Sequence, residues 1–436
     1  MWNAQSTFCG APVAPTARRW NWNTTKRMRI VFVNSSCQRE GGVETYLHTV
    51  MPAVKHSGHE ISLCHELDSP SERGRIGLLP GAPSWCVAEL GLERTLAAVR
   101  QWRPDVIYTH NVASVELELE LLNIGPAVRF VHAYYGTCIS GSKTFKKPVA
   151  EPCHRRFGWQ CLLHFYPRRC GGMNPLTMLA LYDTQRNRLA ALQRYRAVLT
   201  HSEYMRTEYI RNGVAADRVF SFPYCVEPLG SQAGELSPVK KEIRKNDEVW
   251  RLVFAGRMDE LKGGSILLDA LPLVQSAAGR PLQMVFAGDG PERRQWENAA
   301  AALHRSHPDI QIEFAGWRAG ADLAALFRSC HLLVVPSVWP EPFGVVGVEA
   351  ALEGIPAAAF AVGGIPTWLI DGVTGHLAPG DPPTAEGLAR AITNCLSDGE
   401  HYSNLCRGAA KMAGRFTVQA HVVELIRHLE SASHTA

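Results

Sequence analysis

Short runs rich in Val, Ile and Phe alternate with helix-patterned stretches along this chain, and the whole alternation happens twice. The first set of runs is RIVFVN (29–34), EISLCH (60–65), DVIYTH (105–110), AVRFVHA (127–133) and RAVLTHS (196–202). Between the first two lies GVETYLHTVMPAVKHSG (42–58), where Val43, Leu47, Val50 and Val54 recur at helical spacing. Apolar runs this short suit strands buried on both faces, and helical crossovers between them imply parallel pairing. Residues 227–250 break the pattern with a polar, turn-rich, charged stretch that reads as an interdomain linker. The alternation then restarts with RLVFAG (251–256), QMVFAG (283–288), IQIEFAG (310–316), HLLVVPS (331–337) and PAAAFA (356–361). Helices are expected from near Gly263, Pro291, Ala321 and Gly344, and again over 385–432. The predicted class is α/β: two doubly wound domains, 28–226 and 251–415, facing a cleft, with a last helix at 416–436.

Composition narrows the setting. A hydrophobic content of 46% with 20% charged residues suits a globular chain with a sizeable core. The least polar long run, 351–370, carries Glu353, glycines and prolines, so it does not read as a membrane span. Residues 1–27 are polar and turn-rich, without the apolar core of a secretion signal. They are expected to be a disordered extension, with the folded part, and the natural start, near Met28. Twelve cysteines without such a signal read as free thiols of a cytoplasmic protein. The net charge is only +4, yet residues 141–218 hold 14 Lys and Arg against five Asp and Glu, an excess of +9. Two readings stand: a solvated face, or a surface meeting a phosphate-bearing partner or the anionic inner face of a membrane. No nucleic-acid partner is expected.

The loops after the strands carry the chemistry. Gly41 and Gly42 precede the first helix, where backbone N–H groups can approach a phosphate or merely make a turn. In AGRMDELKGG, Arg257 leaves a strand end and Lys262 precedes a helix five residues on. Two cations beside a helix N-terminus form an anion trap suited to a diphosphate. AGDGP, with Gly288 and Gly290, and FAGW, ending at Trp317, are further strand-to-loop turns that allow close approach of a ligand such as a nucleobase. In PEPFGVVGVEA (340–350), prolines on both sides stiffen Glu341, while Gly344 and Val345 open a helix that carries Glu349. Carboxylates accept from hydroxyls, so Glu349 suits a ribose and Glu341 a second sugar.

These motifs, in this order, make the sequence similar to the retaining GT-B glycosyltransferases of family 4, from about Met28 to the C-terminus. The resemblance rests on GGVE after the first strand, AGRMDELKGG, AGDGP, FAGW, PSVWPEPFGVVGVEA with its two glutamates eight apart, and GGIPTWLIDGVTGHL. It implies two Rossmann-like domains and transfer of a sugar from a UDP-, GDP- or ADP-sugar, with retention, to a glycan, lipid-linked or small-molecule acceptor. No cofactor is implied. Arg257 and Lys262 would bind the donor diphosphate, with Gly42 against it from the other domain. Glu349 would hold the ribose and Glu341 the donor sugar, in a loop shaped by Phe343 and Gly344. His132 matches a histidine beside the reacting carbon, with His110 as the weaker alternative. Thr367, Cys225 and Glu227 depart from residues common in the family. The sequence holds no Asp-x-Asp, the motif of metal-bound diphosphates in the other large glycosyltransferase class.

The segment 136–172 reads as an insertion with four cysteines: Cys138, Cys153, Cys161 and Cys170. Four thiolates could close a structural zinc site, with His154 and His164 as spare ligands; unlinked thiols are the other reading. The loop is expected to frame the acceptor side. A nucleotide-sugar epimerase of the same fold and a non-catalytic nucleotide-sugar-binding protein are the competing functions. No G-x-G-x-x-G follows the first strand, which argues against a dehydrogenase.

Overall fold

The computed structural model describes residues 27–38, 41–68, 76, 81–229 and 249–434. The expected N-terminal extension, apart from Arg27, and most of the expected linker lie outside the described residues.

The first half supplies β1 (Arg29–Ser36), β2 (Glu60–Leu67), β3 (Ser84–Cys86), β4 (Val106–Thr109), β5 (Ala127–Val131), β6 (Thr144–Phe145), β7 (Glu151–Pro152), β8 (Ala197–Thr200) and β9 (Val219–Ser221). Seven of these form one sheet in the order β3-β2-β1-β4-β5-β8-β9, every neighbouring pair parallel. The second half supplies β10 (Trp250–Ala255), β11 (Leu282–Ala287), β12 (Ile310–Gly316), β13 (Leu332–Val335), β14 (Ala357–Phe360) and β15 (Gly375–Ala378). They form a second parallel sheet in the order β12-β11-β10-β13-β14-β15.

Both sheets reverse their winding once, between β1 and β4 and between β10 and β13. Loops leaving the carboxyl ends of strands at such a point diverge to opposite faces and leave a crevice. The Gly41–Gly42 turn follows β1, the Arg257–Lys262 segment follows β10 and the Glu341 loop follows β13, so these three motifs lie at the crevices, while AGDGP and FAGW lie at the ends of the neighbouring β11 and β12. The central strands are continuous apolar runs because helices cover both faces: Ile30, Val31, Phe32 and Val33 are all fully buried. In the two parallel sheets the strands not read from sequence, β3, β9 and β15, are three or four residues long and lie at sheet edges, and the two-residue strands β6 and β7 pair with each other. Runs that short carry no measurable periodicity.

The C-terminal helices run Ala385–Leu396, Gly399–Ala413 and Val418–His434. The last one crosses back to the first half and packs on helix Gly42–His56 and on β4 and β5. Val422, Leu425, Ile426 and Leu429 form its buried face. His421 anchors it. Its Nδ1 lies 3.0 Å from the Pro223 carbonyl and its Nε2 2.8 Å from the Tyr46 hydroxyl. A carbonyl only accepts, so Nδ1 carries the proton and Nε2 accepts from Tyr46. Burial holds the His421 pKa down to about 3, which keeps that neutral tautomer.

Candidate active site

In the second half, β10 delivers Arg257 and a short 3-10 turn, Glu260–Lys262, capped by the Asp259 carboxylate on the Leu261 N–H at 3.0 Å. Gly263 then starts helix Gly264–Ala278 with φ of +70°, and a Cβ there would stand 1.9 Å from the Pro336 carbonyl oxygen. Only glycine lets this turn lie directly on the β13 loop. That contact places Lys262 on Glu341: Nζ and Oε1 are 2.5 Å apart. Ser337 Oγ donates to the same Oε1 at 2.6 Å, and the Glu341 side chain is buried. Lys262 Nζ also sits 5.5 Å from the centroid of the Trp339 ring. The sequence reading set Lys262 and Glu341 against different parts of a ligand; the structure joins them as an ion pair.

The Glu341 loop is itself clamped. The Gly364 N–H donates to the Glu341 carbonyl at 2.6 Å. A Cβ on Gly363 would fall 2.3 Å from that same oxygen, which is what the paired glycines of GGIP allow. Gly344, at φ of +85°, caps helix Val345–Leu352, where the Val345 and Val346 N–H groups precede the first bond of the turn, Gly347 N–H to the Gly344 carbonyl at 3.0 Å. Phe343 is buried: its carbonyl accepts from Trp368 Nε1 at 2.7 Å, and its ring packs against Tyr224 and Phe416. Glu349, half-buried, has no hydrogen bond or ion pair among the described residues, and burial pushes its pKa up to about 7. Arg257 is exposed, with its Nε 3.9 Å from Asp259. Gly288 and Gly290 follow β11 against the backbone of Gly256 and Met258, and Trp317 follows β12, exposed.

The first half meets this group at two points. The Tyr134 hydroxyl donates to the Pro340 carbonyl at 2.8 Å, one residue before Glu341. The Tyr224 hydroxyl donates to the Gly42 carbonyl, and burial followed by Cys225, Glu44, Tyr108 and Glu349 raises its pKa. Gly42 and Glu349 thus both lie near one tyrosine. The segment carrying Tyr224 is tied to the chain before the last helix through Val226 N–H to the Phe416 carbonyl at 2.9 Å.

Three histidines form a row that sequence reading caught only in part. His110, His132 and His201 each follow the last residue of β4, β5 and β8, three adjacent strands. His110 Nδ1 lies 3.0 Å from His132 Nε2, and His132 Nδ1 lies 3.0 Å from His201 Nε2. Desolvation comes first in holding all three pKa values down. Arg129 adds to it at His110 and His132, and neighbouring histidines add to it at all three. His132 therefore stands neutral with both ring nitrogens engaged. The signal for His201 was present as the repeated Thr-His or Val-His at a strand end. It needed the strand order to be recognised.

Beside His132 opens a crevice lined by Asn111, Glu118, Arg129, Tyr135 and Arg188 among others. Arg129 pairs with Glu118 at 3.3 Å, and the Tyr195 hydroxyl donates to Glu118 at 2.8 Å.

The cysteine loop is organised by a lysine. Lys143 is buried, with Nζ 2.8 Å from Glu208 Oε2 and donating to the carbonyls of Arg155 at 2.5 Å and Thr137 at 3.3 Å. Cys138, Cys153, Cys161 and Cys170 are free thiols in one neighbourhood. Burial, and then its three fellow thiols, push Cys170 up to about 12. Among the described residues no group of three or more His, Cys, Asp or Glu is arranged to hold a metal ion, so the zinc reading of this loop is not carried further. His154 instead reaches the other half, 3.3 Å from Asp381.

Comparison with known proteins bears on the family and the fold. The family model described as Glycosyltransferase Family 4 matches residues 40–228, and that described as Glycosyl transferases group 1 matches residues 238–412. The D-inositol 3-phosphate glycosyltransferase of Stackebrandtia nassauensis is 32% identical over 209 residues, covering 46% of each chain. That of Salinispora tropica is 33% identical, covering 51% of this chain and 45% of its own. The matched part thus spans about half the length of these curated relatives. Among solved structures, Anabaena HepE in complex with UDP and glucose aligns with a TM-score of 0.64 at 20% identity, over 93% of this chain and 100% of that one. Sucrose-phosphate synthase from Thermosynechococcus elongatus aligns with a TM-score of 0.62 at 19% identity, over 92% and 98%. These likenesses speak to the fold.

Proposed function

We propose, for a chain that belongs to the group 1, family 4 glycosyltransferases, that it moves a sugar from a nucleotide-sugar donor to a glycan, lipid-linked or small-molecule acceptor with retention of configuration. The observation that carries this reading is the meeting of Lys262, Glu341 and the start of helix Val345–Leu352 with Tyr134 from the opposite half. A donor lying along that line would place its diphosphate at Lys262, Arg257 and the first helix N–H groups, where positive charge stabilises the departing nucleotide. Glu349, with no protein partner, would accept from the ribose hydroxyls. A diphosphate competes with Glu341 for Lys262, and a Glu341 so released faces the sugar. His132, held neutral between His110 and His201, would line the crevice beside the sugar rather than act as a cationic acid. The leaving phosphate then takes the acceptor's proton on the same face. Charge neutralisation by these cations makes the reading metal-independent. A role in cell-surface polysaccharide or glycoconjugate synthesis in the cytoplasm goes with it.

The test is nucleotide release from UDP-, GDP- and ADP-sugars by the purified chain. UDP-sugars come first because HepE, a neighbour in fold, was solved with UDP and with UDP-glucose. R257A and E349Q are each expected to remove release. Unchanged release in both would overturn the assignment.

A further inference from the structure

Six of the fourteen large apolar side chains exposed among the described residues fall between Val149 and Leu179. Single exposed hydrophobes are ordinary; a concentration on one short segment marks a docking surface. Trp159, Leu163, Met173, Leu176 and Leu179 are 51–74% exposed. Trp159 and Leu163 stand four residues apart at helix Gln160–His164, and Leu176 and Leu179 three apart in the first turns of helix Pro175–Leu192, so each pair shares a helix face. The two helices pack on each other, and the rings of Phe157 and Tyr182 meet at 5.1 Å between the two segments. Asn174 caps the longer helix from just outside its start, its side chain accepting from the Leu176 N–H, so the apolar end is a formed structure.

The charge beside this surface is predominantly positive, with Asp183 of the longer helix paired to Arg186 at 2.7 Å. From Lys143 to Tyr182 the only acid is Glu151, against seven Lys and Arg. Of these, Lys146, Lys147, Arg155, Arg156 and Arg169 have no carboxylate partner among the described residues. Lys143 is spent inside, on Glu208. Apolar side chains presented next to unpaired cations are the composition of a surface that lies in a bilayer interface carrying anionic headgroups.

We propose that this segment is a membrane-docking surface that seats on anionic lipid, with Trp159, Leu163, Met173, Leu176 and Leu179 entering the headgroup–acyl boundary. It rests on the proposed transferase reading only in its consequence. His154 of the same loop touches Asp381 across the halves, so docking here would set the cleft beside the lipid surface and favour a lipid-borne acceptor. No helix among the described residues is long and apolar enough to cross a membrane, so the attachment is peripheral.

Co-sedimentation of the full chain with vesicles tests this, using phosphatidylcholine alone and an equimolar mixture with phosphatidylglycerol. The chain is expected to pellet with the anionic vesicles at low salt and to release as salt rises. R155A/R156A is expected to lower partition about 30-fold, and L176S/L179S at least about tenfold. Tryptophan emission should shift to the blue on binding, less so in W159F. All of these side chains are exposed, so circular dichroism and donor turnover without vesicles should stay unchanged in every variant. That turnover is read separately, so loss of the transferase reading leaves the vesicle result standing. Three results overturn the proposal: no pelleting with anionic vesicles, equal pelleting with neutral ones, or partition unaffected by both double variants. A self-associating chain that L176S/L179S dissociates, without vesicle binding, overturns it in favour of a second copy as the occupant.

Discussion

Titrating donor binding across neutral pH tests the role proposed for Glu349. Its carboxyl is half-buried, has no hydrogen bond or ion pair among the described residues, and titrates at about 7. A ribose needs the ionised form as acceptor, while the diphosphate of a nucleotide-sugar does not titrate in this range. With a pKa of about 7, the ionised fraction falls from about nine-tenths at pH 8 to about one-tenth at pH 6. Affinity should therefore fall about tenfold between those values and level off above pH 8. Calorimetry with whichever of UDP-, GDP- and ADP-glucose binds gives the profile. E349Q should bind more weakly at pH 8 and show no such slope. The stability consequence runs the opposite way. Between about 4.5 and about 7 the folded carboxyl keeps a proton that the unfolded one loses, so this group lowers stability as pH rises through that window. E349Q should then raise the melting temperature by about 4 °C at pH 8 and leave it unchanged at pH 4. A wild-type affinity profile flat between pH 6 and 8 would refute the assignment of Glu349 to the ribose.

Four further outcomes follow from the geometry. K262M leaves the buried Glu341 with Ser337 alone, at a cost of about 1–3 kcal/mol in denaturant unfolding. K262M/E341Q should recover that stability without recovering nucleotide release. G263A drives a Cβ onto the Pro336 carbonyl at a left-handed φ and should cost about 2 kcal/mol or more, with loss of donor binding. K143M strands Glu208 and should open residues 136–172 to limited proteolysis while leaving nucleotide binding intact. Acid should destabilise the chain: His110, His132, His201 and His421 are held neutral inside, below a normal value of 6.5. The unfolded chain binds those protons first, so stability present above about pH 6.5 is lost as pH falls, outweighing the opposite contribution of Glu349. A melting temperature constant from pH 7 to 5 would contradict this.

The sequence by itself determined the double alternation of strand and helix, and with it two parallel sheets. Strands buried on both faces must be continuously apolar, and that is a local signal. It also placed the site loops, because glycines, prolines and charges at strand ends mark where the chain leaves a sheet. Only the tertiary structure decided which of those residues meet. Lys262 and Glu341 are 79 residues apart in sequence and join only because Gly263 can rest on Pro336. The histidine row depends on β8 lying next to β5, with a whole insertion between them in the chain. That insertion turned on Lys143, a residue that looked like one more surface cation until it was found buried against Glu208. The last helix reads as amphipathic anywhere it packs; its return to the first half rests on His421 reaching Tyr46 and Pro223. Pattern reports which faces are buried, whereas partners across the chain are set by strand order and close backbone approach, which no local window contains.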